Sequence, residues 1–169
     1  MVRMLSFMLL AFTLTVPGAQ GGTLTFAKPA GWTERPPASS MRVAEFVVPK
    51  ASGDSEDAEL IVYYFGGGGG SVEANLQRWT TQFQSPTQPV RTSASVNGLK
   101  LSSLEVGGTY VAEMRPGSTE HYNKPGFRMR ATVVETPKGP YFIKLTGPAN
   151  TVEKAGAAYD QFLQSLAFK

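Results

Sequence analysis

The stretch Ala58-Glu59-Leu60-Ile61-Val62-Tyr63-Tyr64-Phe65, the five glycines Gly66 to Gly70, and Ser71-Val72-Glu73-Ala74-Asn75-Leu76-Gln77-Arg78-Trp79 constrain the fold more than any other part of the chain. They read as a strand, a glycine loop and a helix. From Leu60 to Phe65 every residue is apolar or aromatic, so both faces of the strand are expected to be dry, which places it inside a sheet covered on both sides. Val72, Leu76, Trp79 and Phe83 then recur at helical spacing, with Glu73, Gln77, Arg78 and Gln82 off that stripe. One face of the helix is therefore built for packing.

The rest of the chain supplies partners for this unit. Thr23 to Ala27 alternates as a first strand, Pro29-Ala30-Gly31-Trp32 turns, and Glu34 to Ser40 is a polar connection. Ala44, Phe46 and Val48 share one face of the next strand, with Val43, Glu45 and Val47 on the other. Asn97-Gly98 is a hairpin signal between Thr92–Val96 and Leu99–Leu101, and Gly107-Gly108 is expected to bend the second strand. Arg115 to Gly126 has the punctuation of an exposed loop. Phe127 to Val133 alternates as a strand, Pro137 to Pro140 turns, and Tyr141 to Thr146 is the next strand. A closing helix is expected from Asn150, with Glu153 completing a capping box and Val152, Ala155, Tyr159, Phe162, Leu163 and Leu166 as its apolar stripe. Hairpins dominate, so the fold class is α+β, a mainly antiparallel sheet with a helix on each face.

Before this domain, Arg3 precedes the apolar run Met4 to Val16, and small, turn-forming residues follow to Gly21. That is the layout of a secretory signal peptide over residues 1–21, with cleavage expected after Ala19 or Gly21 and a single exported domain over residues 22–169. The run is about 13 residues, short of the ~20 that span a bilayer, so no permanent membrane span is expected once the signal is removed. The destination is periplasmic or extracellular.

Cysteine is absent, which excludes a disulfide framework, thiol catalysis and a thiolate metal site. The formal net charge is +3, and Lys and Arg are scattered among Asp and Glu. A nucleic-acid binder would carry a basic stripe, and none is present.

Thr23-Leu24-Thr25-Phe26 leading into Pro29-Ala30-Gly31-Trp32, with Leu163-Gln164-Ser165-Leu166-Ala167-Phe168 closing a helix at the end, resembles the PsbP-like fold family. That family includes the extrinsic photosystem II subunit and many non-photosynthetic relatives. The resemblance covers most of the mature chain as topology and only these stretches as residues. It implies an α/β/α sandwich and a non-catalytic role in binding, assembly or regulation, and no family binding motif carries over residue by residue. The region around Gly66 to Gly70 and Trp79 also resembles a group of uncharacterised exported bacterial proteins.

Candidate sites are few. Backbone N–H groups at a helix N-terminus attract anions, but Gly70-Ser71-Val72 lacks the lysine of a phosphate loop, so the glycine run reads first as a flexible connection. If a ligand binds there, Ser71 and Asn75 are the polar groups that face it. Arg128 and Arg130 project from one strand face about 7 Å apart, a spacing that can grip a carboxylate or phosphate. Lys144 is expected to join them if the next strand pairs as a hairpin; the alternatives are a wet face or pairing with Glu113 and Glu135. The single histidine, His121, lies in a loop beside Glu120 without a nucleophile or a second nitrogen ligand. Asp54, Glu56 and Asp57 lack the pattern of a calcium loop. Trp32, Tyr63, Tyr64, Trp79 and Tyr159 are expected in the core rather than in a sugar site.

These residues predict no catalytic set, no metal site and no cofactor. The function expected is that of an exported, non-catalytic binding or assembly-support protein with an unknown protein or small-molecule partner in the cell envelope. The alternatives are an enzyme or enzyme inhibitor whose site joins distant residues, for instance His121 with Glu120 or Arg128, and a structural envelope protein acting through a sheet edge.

Overall fold

The apolar ribbon at the centre of the sequence becomes an inner strand of the sheet. The computed structural model describes residues 22–169; the expected signal peptide over residues 1–21 lies outside them. In chain order the elements are β1 (Leu24–Thr25), β2 (Thr33–Arg35), β3 (Arg42–Val48), β4 (Ala58–Tyr64), α1 (Val72–Thr80), β5 (Phe83–Gln84), β6 (Val90–Val96), β7 (Leu99–Tyr110), β8 (Lys124–Glu135), β9 (Tyr141–Pro148), α2 (Ala149–Lys154), α3 (Gly156–Gln164) and β10 (Ala167–Phe168). The eight-stranded sheet runs β2-β3-β4-β9-β8-β7-β5, with β6 also paired to β7. Every strand pair in it is antiparallel. β4 lies between β3 and β9, where its backbone groups are paired on both sides and Leu60 and Val62 are fully buried.

Alternation along the strands divides the apolar residues between two clusters. One joins Phe46, Leu60, Val62, Leu101, Val134, Ile143 and Leu145 to Val152, Tyr159, Phe162 and Leu166 from the C-terminal helices and the turn after them. The other joins Leu104, Val106, Met129, Ala131, Val133 and Phe142 to Leu76 and Trp79 of α1. Neighbours such as Phe142 and Ile143, or Val133 and Val134, therefore belong to different clusters. Trp32 is buried in the first cluster against Phe46 and Phe162.

Turn chemistry sets the β6–β7 hairpin. Asn97 and Gly98 both take positive φ, 49° and 80°, as a two-residue primed turn requires, and Val96 pairs with Leu99. The register of β7 against β8 slips between Gly108 and Tyr110, the bend expected from the glycine pair. At Gly108 a Cβ would meet the Gln84 carbonyl at 2.9 Å, and φ is 144°, so a side chain is excluded by both space and conformation.

The structure corrects four local expectations. Phe83, expected on the α1 stripe, lies beyond the helix in β5. The first strand is only Leu24–Thr25, and it pairs with β10 near the other end of the chain in a separate two-stranded sheet. The polar connection from Glu34 contributes instead to the edge strand β2, held by register with Val47, Phe46 and Glu45 of β3. The closing helix is broken at Ala155 into α2 and α3, and no capping box forms: α2 has Pro148 at its N-cap without a side-chain cap bond. Its free donors are met from a distant loop, where Asp54 accepts from the Thr151 N–H at 2.8 Å and the Thr151 hydroxyl at 2.5 Å.

Candidate functional site

At the start of α1 the polar side chains turn inward. Ser71 Oγ accepts from the Ala74 N–H at 3.2 Å, an ordinary N-cap. Asn75 is buried; its amide donates to the Gly69 and Ser71 carbonyls at 2.8 Å each and its Oδ1 accepts from Arg78 at 2.5 Å. These bonds tie the glycine loop to the helix. Gly69 explains why glycine is needed there: φ is 108°, and a Cβ would stand 2.6 Å from the Phe142 ring. Ser71 and Asn75 thus hold the loop down.

Arg128 and Arg130 do share a strand face, and their partners are all internal. Arg128 lies 3.3 Å from Glu105 and 3.9 Å from Glu153. Arg130 pairs with Glu105 at 3.6 Å and Asp160 at 2.7 Å, donates to the Gly156 carbonyl at 3.1 Å, and lies over the Tyr159 ring at 4.7 Å. Between them the two arginines pair with Glu105, Glu153 and Asp160 rather than Glu113 or Glu135, because α2 and α3 carry Glu153 and Asp160 across the strand. The pair fastens the C-terminal helices to β7 and β8. Beneath them, Tyr159 shares a 2.8 Å hydrogen bond with Thr132, and burial holds its phenol neutral by raising its pKa.

Lys144 does not join these arginines. β8 and β9 pair as the hairpin that was expected, but the register sets Lys144 opposite Ala131 and sets Arg130 opposite Leu145. Successive register pairs point to opposite sides of a sheet, so Lys144 emerges on the side of Ala131 and the α1 cluster. There it meets a different set of groups. Its Nζ donates to Gln82 Oε1 at 2.9 Å, just beyond the last turn of α1. Arg78 is exposed on α1 and donates to the neutral Asn75 amide oxygen, and its charge lies within electrostatic reach of Lys144. Across the sheet, Lys144 faces Ile61, Ile61 faces Glu45, and Tyr63 lies diagonally beside Lys144 on the same side.

Glu45 is the carboxylate of this group, and it is already engaged. It is almost wholly buried and accepts from Arg35 Nε at 3.0 Å, Arg42 Nη1 at 3.0 Å and the Ala38 N–H at 2.6 Å. Burial alone would raise its pKa, but the Ala38 N–H and the two guanidinium groups hold it below the usual carboxylate value. Arg35 also pairs with Glu59, and Arg42 lies over the Tyr63 ring at 5.7 Å. Lys144 is left partly buried among cations: burial first, then the charges of Arg78 and Arg42, lower its pKa to about 8.

Aromatic rings complete the surroundings. Tyr63 stacks on Phe65 at 6.0 Å, and Tyr110 stacks on Tyr122 at 5.6 Å and on Phe127 at 6.2 Å. Tyr64, Tyr141 and Tyr159 use their hydroxyls inside the fold, on Lys138, Leu24 and Thr132. The hydroxyls of Tyr63, Tyr110 and Tyr122 make no such bond among the described residues, and each of these phenols lies within electrostatic reach of another. Desolvation raises the pKa of both Tyr63 and Tyr110, so they are neutral donors at physiological pH.

Other candidates stay apart. His121 is exposed; its Nδ1 lies 2.9 Å from the Val111 carbonyl, in a loop bridged to Glu113. Asp54 caps α2, Asp57 accepts from the Lys50 N–H, and Glu56 pairs with Lys124 at 2.6 Å. Among the described residues no group of His, Asp and Glu is arranged to hold a metal ion, and no helix is long and apolar enough to cross a membrane. Arg42, Arg78, Gln82 and the Tyr110–Tyr122 pair escape a sequence reading, because no spacing links residues brought together from a bulged strand, a helix end and a loop.

No protein-family model and no curated protein matches the chain. Solved structures do. A crystal structure of a Pseudomonas aeruginosa protein of unknown function, PA94, for which a regulatory role has been suggested, is similar with a TM-score of 0.55 at 16% identity, over 85% of this chain and 96% of that one. The solution structure of cyanobacterial PsbP (CyanoP) from Synechocystis sp. PCC 6803 is similar with a TM-score of 0.51 at 12% identity, over 94% of this chain and 98% of that one. The chain has a PsbP-like α+β fold. At these identities the likeness concerns the fold and carries no chemistry.

Proposed function

We propose that the chain is an exported, non-catalytic binding or assembly-support protein of the cell envelope, built as a PsbP-like sandwich with helices over each face of its sheet. Its ligand face is the α1 side. The observation that carries this reading is the unequal pairing of charge around β8 and β9. Arg128 and Arg130 are matched by carboxylates, whereas Lys144 and Arg78 are bonded to the neutral amides of Gln82 and Asn75. Lys144 is partly buried, and a cation held there without a counter-charge raises the energy of the free protein, a cost that an incoming anionic group relieves. The signal-like layout of residues 1–21 supports export.

The reading is tested by passing an envelope extract over the purified chain and over an Arg78→Ala/Lys144→Met variant, then identifying what each retains by mass spectrometry. A set of compounds or proteins held by the first and lost by the second is expected. Equal retention by both would remove the α1 side from any binding role.

A further inference from the structure

A second surface lies at the outer edge of the sheet, on residues that play no part in the α1-side reading. We propose that β6 is a self-association edge, through which two copies of the chain pair antiparallel about a two-fold axis at Ser93 and join their sheets into one.

The free backbone of β6 fixes the register of such a pair. Val96 faces Leu99 across the two-residue turn, so these two exchange both backbone bonds, and the exchange recurs at every second residue: Ala94 with Leu101, Thr92 with Ser103 and Val90 with Glu105. Arg91, Ser93 and Ser95 therefore turn their N–H and C=O groups away from β7. Among the described residues no other strand pairs with β6, and Val90 to Ser95 are all exposed. The three outward residues are symmetric about Ser93. A second copy laid antiparallel along them sets Ser93 against Ser93 and Arg91 against Ser95, each an exchanged pair, and this register gives the greatest overlap. No like charges then stand opposed.

Side chains and the remaining edges select the same strand. Val90, 57% exposed, comes beside Val96 of the second copy, and Thr92 beside Ala94, on the α3 side of the sheet. The only charge on β6 is Arg91, and Glu73 draws it onto α1 by two bonds of 2.9 Å. Other edge segments carry the devices that prevent pairing. β2 is three residues long, holds Glu34 and Arg35 and runs into Pro36-Pro37; the segment between β5 and β6 holds Pro86, Pro89 and a positive φ of 49° at Ser85. β6 has none of these. A seam of one strand pair buries less than a standard interface, so the dimer is expected to dissociate on dilution.

The test is sedimentation velocity over a dilution series of the purified chain, with amide hydrogen exchange measured at both ends of the series. A reversible monomer–dimer equilibrium is expected. The amides of Arg91, Ser93 and Ser95 should exchange at least tenfold more slowly at the concentrated end, while those of Thr92, Ala94 and Val96 are protected throughout by β7. Ser93→Pro removes an outward donor and no bond to β7, and Ser93→Lys sets like charges on the axis; each should weaken association at least tenfold with the fold intact by circular dichroism. Ser93→Cys should cross-link into a dimer under mild oxidation, because Cα atoms about 5.5 Å apart in an exchanged pair are within disulfide reach, whereas Thr33→Cys on β2 should not. A chain that stays monomeric throughout the series, or a dimer that both Ser93→Pro and Ser93→Lys leave unweakened, would overturn the proposal. A monomeric chain that retains a different protein from an envelope extract, and loses it in Ser93→Lys, would overturn the second copy as occupant and give the edge to a foreign strand.

Discussion

The basic residues of β8 and β9 serve the two sides of one sheet in opposite ways. On the α3 side, Arg130 meets Asp160, Glu105, the Gly156 carbonyl and the Tyr159 ring, so its guanidinium is fully occupied in holding a helix. On the α1 side, Lys144 donates to a neutral amide and has like charges for neighbours. The difference teaches that a cation's role follows from the carboxylates that tertiary structure brings to it. Arg128 and Arg130 looked like a gripping pair in the sequence, and they grip the protein's own helices.

The largest effect is expected at Glu45, the shared anion of the open side. Glu45→Ala leaves Arg42 and the Ala38 N–H without their acceptor and Arg35 with Glu59 alone, and should destabilise the fold by about 3 kcal/mol in chemical denaturation. A loss below about 1 kcal/mol would mean that water reaches this site freely. Next comes the comparison itself. Arg130→Ala should cost about 2 kcal/mol through its lost charged bonds, whereas Arg78→Ala should cost under about 0.5 kcal/mol. Equal losses would erase the distinction between a fastening cation and a free one.

Lys144→Met should have the opposite sign. The Lys144 pKa in the fold, about 8, lies below its ordinary value of 10.5, so the unfolded chain binds the proton more tightly. The penalty for keeping Lys144 charged is present in full below pH 8 and fades as pH rises toward 10.5. The methionine variant is therefore expected to be more stable than the parent at pH 7, by on the order of 1 kcal/mol, with the gain shrinking above pH 8. A gain independent of pH would assign the effect to packing instead.

Much of the architecture was legible, because its signals are local. The dry run Leu60–Val62, the Asn97-Gly98 turn, the Gly108 bulge and the apolar stripe of α1 each depend on residues a few positions apart, whereas Tyr63, Tyr64 and Phe65, expected to be dry as well, are half-buried. What was missed depended on partners far along the chain. The Asn150–Glu153 pattern implied a self-capped helix, but Asp54 reaches Thr151 from nearly a hundred positions away. β2 was hidden in a polar connection because its pairing lies in β3, and β1 was paired with β10 across almost the whole described chain.

By itself, the amino-acid order determined that β4 would be an inner strand and that α1 would present one packing face, since periodicity and side-chain character act within a few residues. Only the tertiary structure decided which side of the sheet Lys144 would occupy. A shift of one residue in the pairing of β8 with β9 would carry it across the sheet to the arginines. That register is set by burial on both sides of the hairpin at once, and so no single strand contains it.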